Sequence, residues 1–229
     1  MDRENIEGRE TGARVPLTRE LVLRGALVLL DESGVEALSM RILGTRLGVK
    51  AMSLYNHVSG KDDILDGALD LVVEEIAIPD EAADWRSAMK ERAVSAMLAF
   101  RRHPWASALM DSRLSSHGSR LRYFDRTVGA LLRAGFTLEL AARAISLLDC
   151  YVYGFGRQLL NMNSGGEADA RRRAESFRGI LPGESFPNLA RMAELAMKEG
   201  YDEDADFGFG LTLILDGLER LRDVGRNGL

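Results

Sequence analysis

Five prolines punctuate the 229 residues of this chain: Pro16, Pro79, Pro104, Pro182 and Pro187. They leave the intervals 17–78 and 105–181 without one. Proline has no amide hydrogen and its ring clashes with the preceding turn, so Leu- and Ala-rich intervals free of it are where helices can run. No alternating run of β-branched residues is long enough to suggest a sheet. The spacing therefore predicts an all-α chain, without internal repeats. At 46% hydrophobic and 28% charged residues the composition is globular and excludes a disordered or collagenous chain. The length suits one large domain or two small ones. Cys150 is the only cysteine, which excludes an internal disulfide and a Cys-rich zinc site and fits a reducing compartment. No apolar run approaches the roughly 18 residues of a membrane span. The charged start, Met1-Asp2-Arg3-Glu4-Asn5, predicts no secretory leader. The expectation is a cytoplasmic protein.

Local signals divide the chain. Residues 1–16 are charged and read as a flexible arm. Thr18 can cap a helix carrying Leu21, Ala26, Leu29 and Leu30, which Gly34 ends. Ser39 can cap a second helix through Leu47, stopped by Gly48, and a third short helix is expected from Lys50 to His57. Ser59-Gly60-Lys61-Asp62 has the spacing of a capping box, with Asp62 as its acid. The fourth helix then repeats Leu65, Leu69, Val72 and Ile76 along one face. An acidic, proline-started break at 79–84 separates a first domain, 17–78, from a second, 84–229. There the pattern predicts helices over 85–100, 116–134, 137–161 and 204–224, with a loop at 161–166 and a charged segment around Arg171-Arg172-Arg173.

Two of these helices are unusually apolar. Ala141, Ile145, Leu148, Val152, Phe155 and Leu159 recur at helical spacing, as do Phe207, Leu211, Ile214, Leu218 and Leu221. Both helices also carry glycines, among them Gly154, Gly156, Gly208, Gly210 and Gly217, although glycine costs about 1 kcal/mol inside a helix. Internal core is one reading. The other is that helices 137–161 and 204–224 pair with their copies in a homodimeric four-helix bundle.

The segment Ser39 to Val58 reads as short helix, glycine turn, short helix. Gly44 lets the two helices cross closely, while Leu43, Leu47, Val49 and Leu54 can form the core of a helix-turn-helix. In such a unit the second helix enters the major groove of DNA. The net charge of −5 argues against nucleic acid only as an average. From Ala37 through Lys61 there are four basic side chains (Arg41, Arg46, Lys50, Lys61) and no acid. Up to residue 60 the chain carries eight basic and eight acidic residues, so the deficit lies beyond.

Residues 18–78 resemble the DNA-binding domain of the tetracycline-repressor family. The resemblance rests on Leu47-Gly48-Val49, Leu54-Tyr55-Asn56-His57-Val58 and Lys61. It continues through Trp85, Gly135-Phe136-Thr137-Leu138, Ala144-Ile145-Ser146 and Gly154, which are similar to the family's regulatory domain. The resemblance implies an N-terminal three-helix DNA-binding domain and a C-terminal helical ligand-binding and dimerisation domain. It implies a homodimeric repressor on a palindromic double-stranded DNA operator, released by a small-molecule effector. Carried over by position, Arg41 would read a base edge, with Ser39 and Met40 nearby at the start of the same helix. Lys50, Ala51, Met52, Ser53, Tyr55 and Asn56 would belong to the groove-facing helix. Tyr55, His57 and Lys61 would hold phosphates. Tyr55 can also be read as a packing aromatic, His57 as a surface imidazole and Lys50 as a solvated side chain.

The family's pocket lies within the second domain. Candidate lining residues are Met97, Phe100, Trp105, Met110, Phe124, Val128, Ile145, Asp149 and Tyr153, a set suited to a largely apolar effector. Asp149 interrupts an apolar run, so its carboxylate needs either a ligand group or an ion-pair partner. Tetracycline repressors hold a metal-chelated drug with histidines. Here Ala77 stands at one such position, His103 lies too early for the other, and Arg92 and Ala96 occupy drug-contacting positions, so magnesium–tetracycline is not the expected ligand. No cofactor or metal site is expected. Two other readings are weaker. Asp62, Asp63 and Asp66 match the aspartate-rich pattern of a prenyl-diphosphate enzyme, but no second metal motif accompanies them. A dimeric interaction scaffold would leave the acid-free window unexplained.

Overall fold

A computed structural model describes residues 16–80, 84–110, 118–162, 172, 175–180, 185–199 and 202–227. Among these residues the chain is helical, without strands. It divides into two compact units, Met1–Leu65 and Asp66–Leu229. The boundary falls inside one continuous helix, upstream of the expected break at 79–84.

In the first unit, α1 (Arg19–Ala37) starts where Thr18 accepts a hydrogen bond from the Leu21 amide at 3.1 Å. It buries Val22, Leu23, Ala26, Leu29 and Leu30. Gly34, at φ 75°, breaks the regular helix, and one more turn follows to Ala37. α2 (Met40–Arg46) is capped by Ser39, whose hydroxyl accepts from Ile42 N at 3.2 Å. Gly48, at φ 66°, then turns the chain. α3 (Ala51–Leu54) is only four residues long. The expected helix to His57 gives way at its end to a turn, in which the His57 amide donates to Leu54 O at 2.9 Å. Lys50, at its N-cap, supplies no side-chain acceptor.

α4 (Lys61–Glu74) begins in this unit and ends in the second. Its capping acid is Asp63 rather than Asp62, since Asp63 Oδ2 accepts the Ser59 amide at 2.8 Å. Asp63 is the acid drawn back because Arg19 also grips it, at 2.5 and 2.9 Å. Leu65, Leu69, Val72 and Ile76 are all buried, as their spacing requires.

The second unit contains α5 (Trp85–Arg102), α6 (Ala106–Met110), α7 (Gly118–Arg133) and α8 (Leu138–Met162). Among the described residues it also contains α9 (Pro187–Glu199) and α10 (Glu203–Asn227), with residues 175–180 helical as well. Asp84 caps α5 through the Ser87 amide, and Gly135, at φ 89°, divides α7 from α8. α8 is the central helix and packs against α5, α6, α7 and α10. It runs through Met162, beyond the expected end at 161. Residues 1–15 of the expected arm 1–16, the loop residues 163–166, Arg171 and Arg173 lie outside the described residues. α9 is a helix that periodicity over the whole region did not single out. Its signal is local: Pro187 stands at the first helical position, where a missing amide costs nothing.

Candidate DNA-binding surface and regulatory core

The helix-turn-helix is closed by contact between backbones. A Cβ on Gly44 would stand 3.0 Å from Val49 O and 3.1 Å from Ala51 N, so only glycine lets the turn and α3 approach α2 this closely. Leu43 and Leu54 are fully buried beneath the turn, with Leu47 and Val49 half-buried at its edge. That packing turns the other side chains outward. Arg41, Lys50, Tyr55 and Asn56 are exposed, Met52 is 74% exposed, and Ser39, Met40, Ala51, Ser53 and His57 are half-buried. Ser53, Asn56 and His57 share a groove of about 340 Å³ with Pro16, Leu17, Leu21, Leu47 and Val49.

The four cations of the acid-free window divide into two pairs. Arg46 makes a two-point ion pair with Glu32 of α1, at 2.6 and 2.8 Å, which holds the Glu32 carboxyl below its ordinary range. Lys61 Nζ donates to Val35 O at 3.1 Å. Both therefore tie elements of the unit together. Arg41 and Lys50 are exposed and form no ion pair among the described residues, which leaves their charge directed to solvent. His57 is held through its backbone, where its carbonyl accepts from Arg19 at 3.2 Å.

In the second unit, the residue that most needed a partner finds it in Arg92. The guanidinium NH2 of Arg92 donates to Asp149 Oδ1, joining α5 to the centre of α8. Arg92 is only 2% exposed, and its carbon centre lies 4.9 Å from the centroid of the Tyr123 ring of α7. Burial opposes its charge, yet Tyr123 and Asp149 hold its pKa above the ordinary arginine value. Tyr123 is pushed up to about 12, first by burial and then by Asp149, so it stays a neutral phenol. Nε of Arg92 is sealed from solvent and has no hydrogen-bond partner among the described residues.

The nine expected lining residues differ in burial. Phe100 and Tyr153 pack edge to face at 5.6 Å, and Met97 and Trp105 are buried. Met110, Phe124, Val128 and Ile145 are half-buried. Gly156 lets α8 approach α5, where its absent Cβ would meet Phe100 Cβ at 3.4 Å. Sequence reasoning chose Phe124 and passed over Tyr123. One residue is a turn of about 100° on a helix, and the inward face of α7 runs through Arg120, Tyr123 and Thr127.

A second buried arginine was missed altogether. Arg120 of α7, 3% exposed, donates to Asp70 of α4 at 2.6 Å and lies 3.5 Å from Asp66. Beside it Ser119 donates to Glu74 at 3.1 Å. Glu75, just beyond α4, takes Arg102 and, at 3.1 Å, His103 Nε2. Burial raises the Glu75 pKa, but Arg102 and His103 outweigh it and the net shift is downward. Two of the three aspartates that resemble a metal-binding motif are thus engaged by arginine: Asp63 by Arg19 and Asp66 by Arg120.

A short helix-turn-helix on one unit and a helical body with a charged, aromatic-lined centre on the other define a one-component DNA-binding regulator. Comparison with known proteins is consistent throughout. Residues 78–222 match the family described as "Tetracyclin repressor-like, C-terminal domain". The HTH-type transcriptional repressor DrrR1 of Streptomyces coeruleorubidus is 32% identical over 219 residues, covering 92% of this chain and 80% of that protein. The tetracycline repressor protein class C of Escherichia coli is 32% identical over 214 residues, covering 90% and 92%. The crystal structure of ActR from Streptomyces coelicolor in complex with actinorhodin superposes with a TM-score of 0.76 at 32% identity, covering 90% of this chain and 99% of that one. The chain belongs to the tetracycline-repressor family. It is a ligand-responsive transcriptional repressor rather than an enzyme.

Proposed function

We propose that this repressor binds a palindromic operator as a homodimer and is released when a small, largely apolar effector enters the second unit. The observation that carries the DNA reading is the outward set on α2 and α3. Arg41, Lys50, Met52, Tyr55 and Asn56 are exposed, and no acid interrupts them. Arg41 has the geometry-independent capacity to make two hydrogen bonds to a guanine edge, whereas Lys50 and Tyr55 offer phosphate contacts. His57 and Lys61 would add phosphate contacts at the margin of that surface, with Ser39 and Met40 close to the backbone and Ala51 and Ser53 on the groove-facing helix.

Dimerisation would use α8 and α10, spanning the expected 137–161 and 204–224. Their inward positions Ala141, Leu148, Val152, Phe207, Leu211 and Leu218 are buried within the chain. A second face remains: Phe209 is 70% exposed, Leu213 57%, Leu221 58%, Val224 71% and Leu147 48%. A Cβ on Gly154, Gly208 or Gly217 would meet nothing within 4 Å, so packing in one chain does not require glycine at these places. A closely approaching second helix does. The two recognition helices of such a dimer would have to span half-sites about one helical turn, roughly 34–36 Å, apart.

ActR has been crystallised with actinorhodin, and the aromatic, apolar surroundings of Phe100, Trp105 and Tyr153 suit an effector of comparable character. Magnesium–tetracycline lacks its histidine ligands here, since His103 is bonded to Glu75. No helix among the described residues is long and apolar enough to cross a membrane, which fits a regulator acting on DNA in the cytoplasm. A mobility-shift titration with the DNA flanking the protein's own gene tests the reading. A discrete complex of two chains per site is expected, and no shift even at low salt would overturn it.

A further inference from the structure

A glycine inside α7 makes room for one cation. Gly129 stands four residues before Arg133, in a helix interior where glycine is among the least favoured residues. A Cβ built there would meet Nη1 of Arg133 at 3.1 Å and nothing of any other element within 4 Å. Packing between helices therefore does not require this glycine, whereas the seat of the Arg133 guanidinium does. Arg133 itself is exposed and forms no hydrogen bond or ion pair among the described residues.

Arg133 borders a cavity of about 280 Å³ in the second unit, where α5 begins and α7 ends. Two acids border it as well, Asp80 ahead of α5 and Asp84 at its N-cap. Asp84 Oδ2 accepts the Ser87 amide at 3.0 Å, and Oδ1 has no partner among the described residues. Neither acid pairs with Arg133, so opposite charges stand around one cavity without closing it. The rest of the wall is fixed. Trp85 is buried, with Phe136 edge-on at 4.9 Å and the carbon centre of Arg222 5.3 Å from its ring centroid. Arg222 is paired with Asp223 at 2.8 Å and lies 3.6 Å from Glu219, so its charge is balanced and Arg133 is the cation left over.

This lining sets the chemistry of an occupant. A plain anion on Arg133 would stand near two carboxylates, and a plain cation on the acids would stand near two guanidiniums. A molecule with a carboxylate at one end and an ammonium a few bonds away meets both signs. Its carboxylate matches the planar fork of arginine with two parallel hydrogen bonds. Its ammonium has three donors, and Oδ1 of Asp84 can accept one. The volume lies just under the roughly 300 Å³ at which pockets for drug-sized molecules begin, so the occupant is small.

We propose that this cavity is a second ligand site of the regulatory unit and takes a free α-amino acid, its carboxylate on Arg133 and its ammonium on Asp84 and Asp80. The site goes beyond the effector reading above. None of its residues belongs to the effector set, and Trp85 stands about two turns of α5 before Arg92. An occupant braces the last turn of α7 against the first turn of α5.

The test uses the full chain labelled with 5-fluorotryptophan, in which Trp85 and Trp105 are the reporters. The common L-amino acids are titrated singly up to about 10 mM, and the tightest is compared with its N-acetyl derivative, which lacks the ammonium, and its carboxamide, which lacks the carboxylate. At least one amino acid is expected to shift the Trp85 fluorine resonance and leave that of Trp105 in place, and each derivative to bind at least about tenfold more weakly. Arg133→Gln is expected to abolish the shift. Gly129→Ala is expected to raise the melting temperature, as alanine does in a helix, and to weaken binding severalfold by displacing the guanidinium. Absence of any Trp85 shift, a derivative that binds as tightly as its parent, or unchanged binding in Arg133→Gln or Gly129→Ala overturns the site. A shift confined to Trp105 overturns it too, and places the amino acid in the effector region. Operator binding and its release by an apolar effector are untouched by any of these outcomes.

Discussion

Among the described residues the first unit buries no arginine, whereas the second buries two. In the first, Arg41 is exposed, Arg24 pairs with Glu20 on the helix surface, and Arg46 and Arg19 form pairs that remain partly in water. In the second, Arg92 and Arg120 are 2% and 3% exposed; Arg92 lies between α5, α7 and α8, and Arg120 joins α7 to α4. A charge in high dielectric is cheap to keep and free to seek phosphate. A charge in the core is costly to bury, and its partner becomes indispensable once it is there. The same side chain is thus held out to solvent in one unit, where we propose that it meets DNA, and fixes helix positions in the other. α7 carries both ends of that internal system, with Tyr123 against Arg92 and Arg120 on α4. α4 is also the helix that continues into the DNA-binding unit.

The contrast can be broken by substitution. Arg120→Ala removes the buried guanidinium that stands between α7 and Asp70 of α4, and should cost about 3–5 kcal/mol of stability in urea unfolding of the full chain. A loss below about 1 kcal/mol would mean that the pair is not structural. Arg41→Ala should leave unfolding unchanged and weaken operator binding by about 1–3 kcal/mol, with relaxed preference at one base pair. Unchanged operator affinity would remove Arg41 from the reading set.

Two smaller effects sharpen the distinction. Arg19 holds the Asp63 carboxyl down to about 2, against 3.8 ordinarily, helped by the Ser59 amide and opposed by burial. A depressed acid stabilises the fold above its unfolded value and loses that contribution as pH falls through the folded one. Asp63→Asn should therefore lower the melting temperature at pH 6 by an amount that shrinks from about pH 4 and vanishes near pH 2. An unchanging difference would assign the effect to the cap alone. Arg24→Ala should change stability by no more than about 0.5 kcal/mol, because its i,i+4 pair with Glu20 is largely in water.

How much was legible depends on how far each cause reaches along the chain. Ser39, Gly48, Thr18 and Gly135 begin or end helices through their own backbones and near neighbours, so their roles could be read from single residues. The capping box was nearly readable. Its acid moved from Asp62 to Asp63 because Arg19, 44 residues earlier, binds the latter. α3 ended early for a related reason, since a four-residue helix is held by Gly44 and Leu54 rather than by its own propensity.

An all-helical chain, the acid-free helix-turn-helix and a regulatory half built on apolar helices are legible along the chain. Those follow from periodicity, caps and local charge, which act over one or two turns. The tertiary structure alone decided that Arg46 and Lys61 brace the fold while Arg41 and Lys50 face solvent. It alone gave Asp149 its partner 57 residues away, and Arg120 its partner 50 residues away. Burial and ion pairing are properties of the space between helices. No pattern along one helix records which charge will stand opposite it.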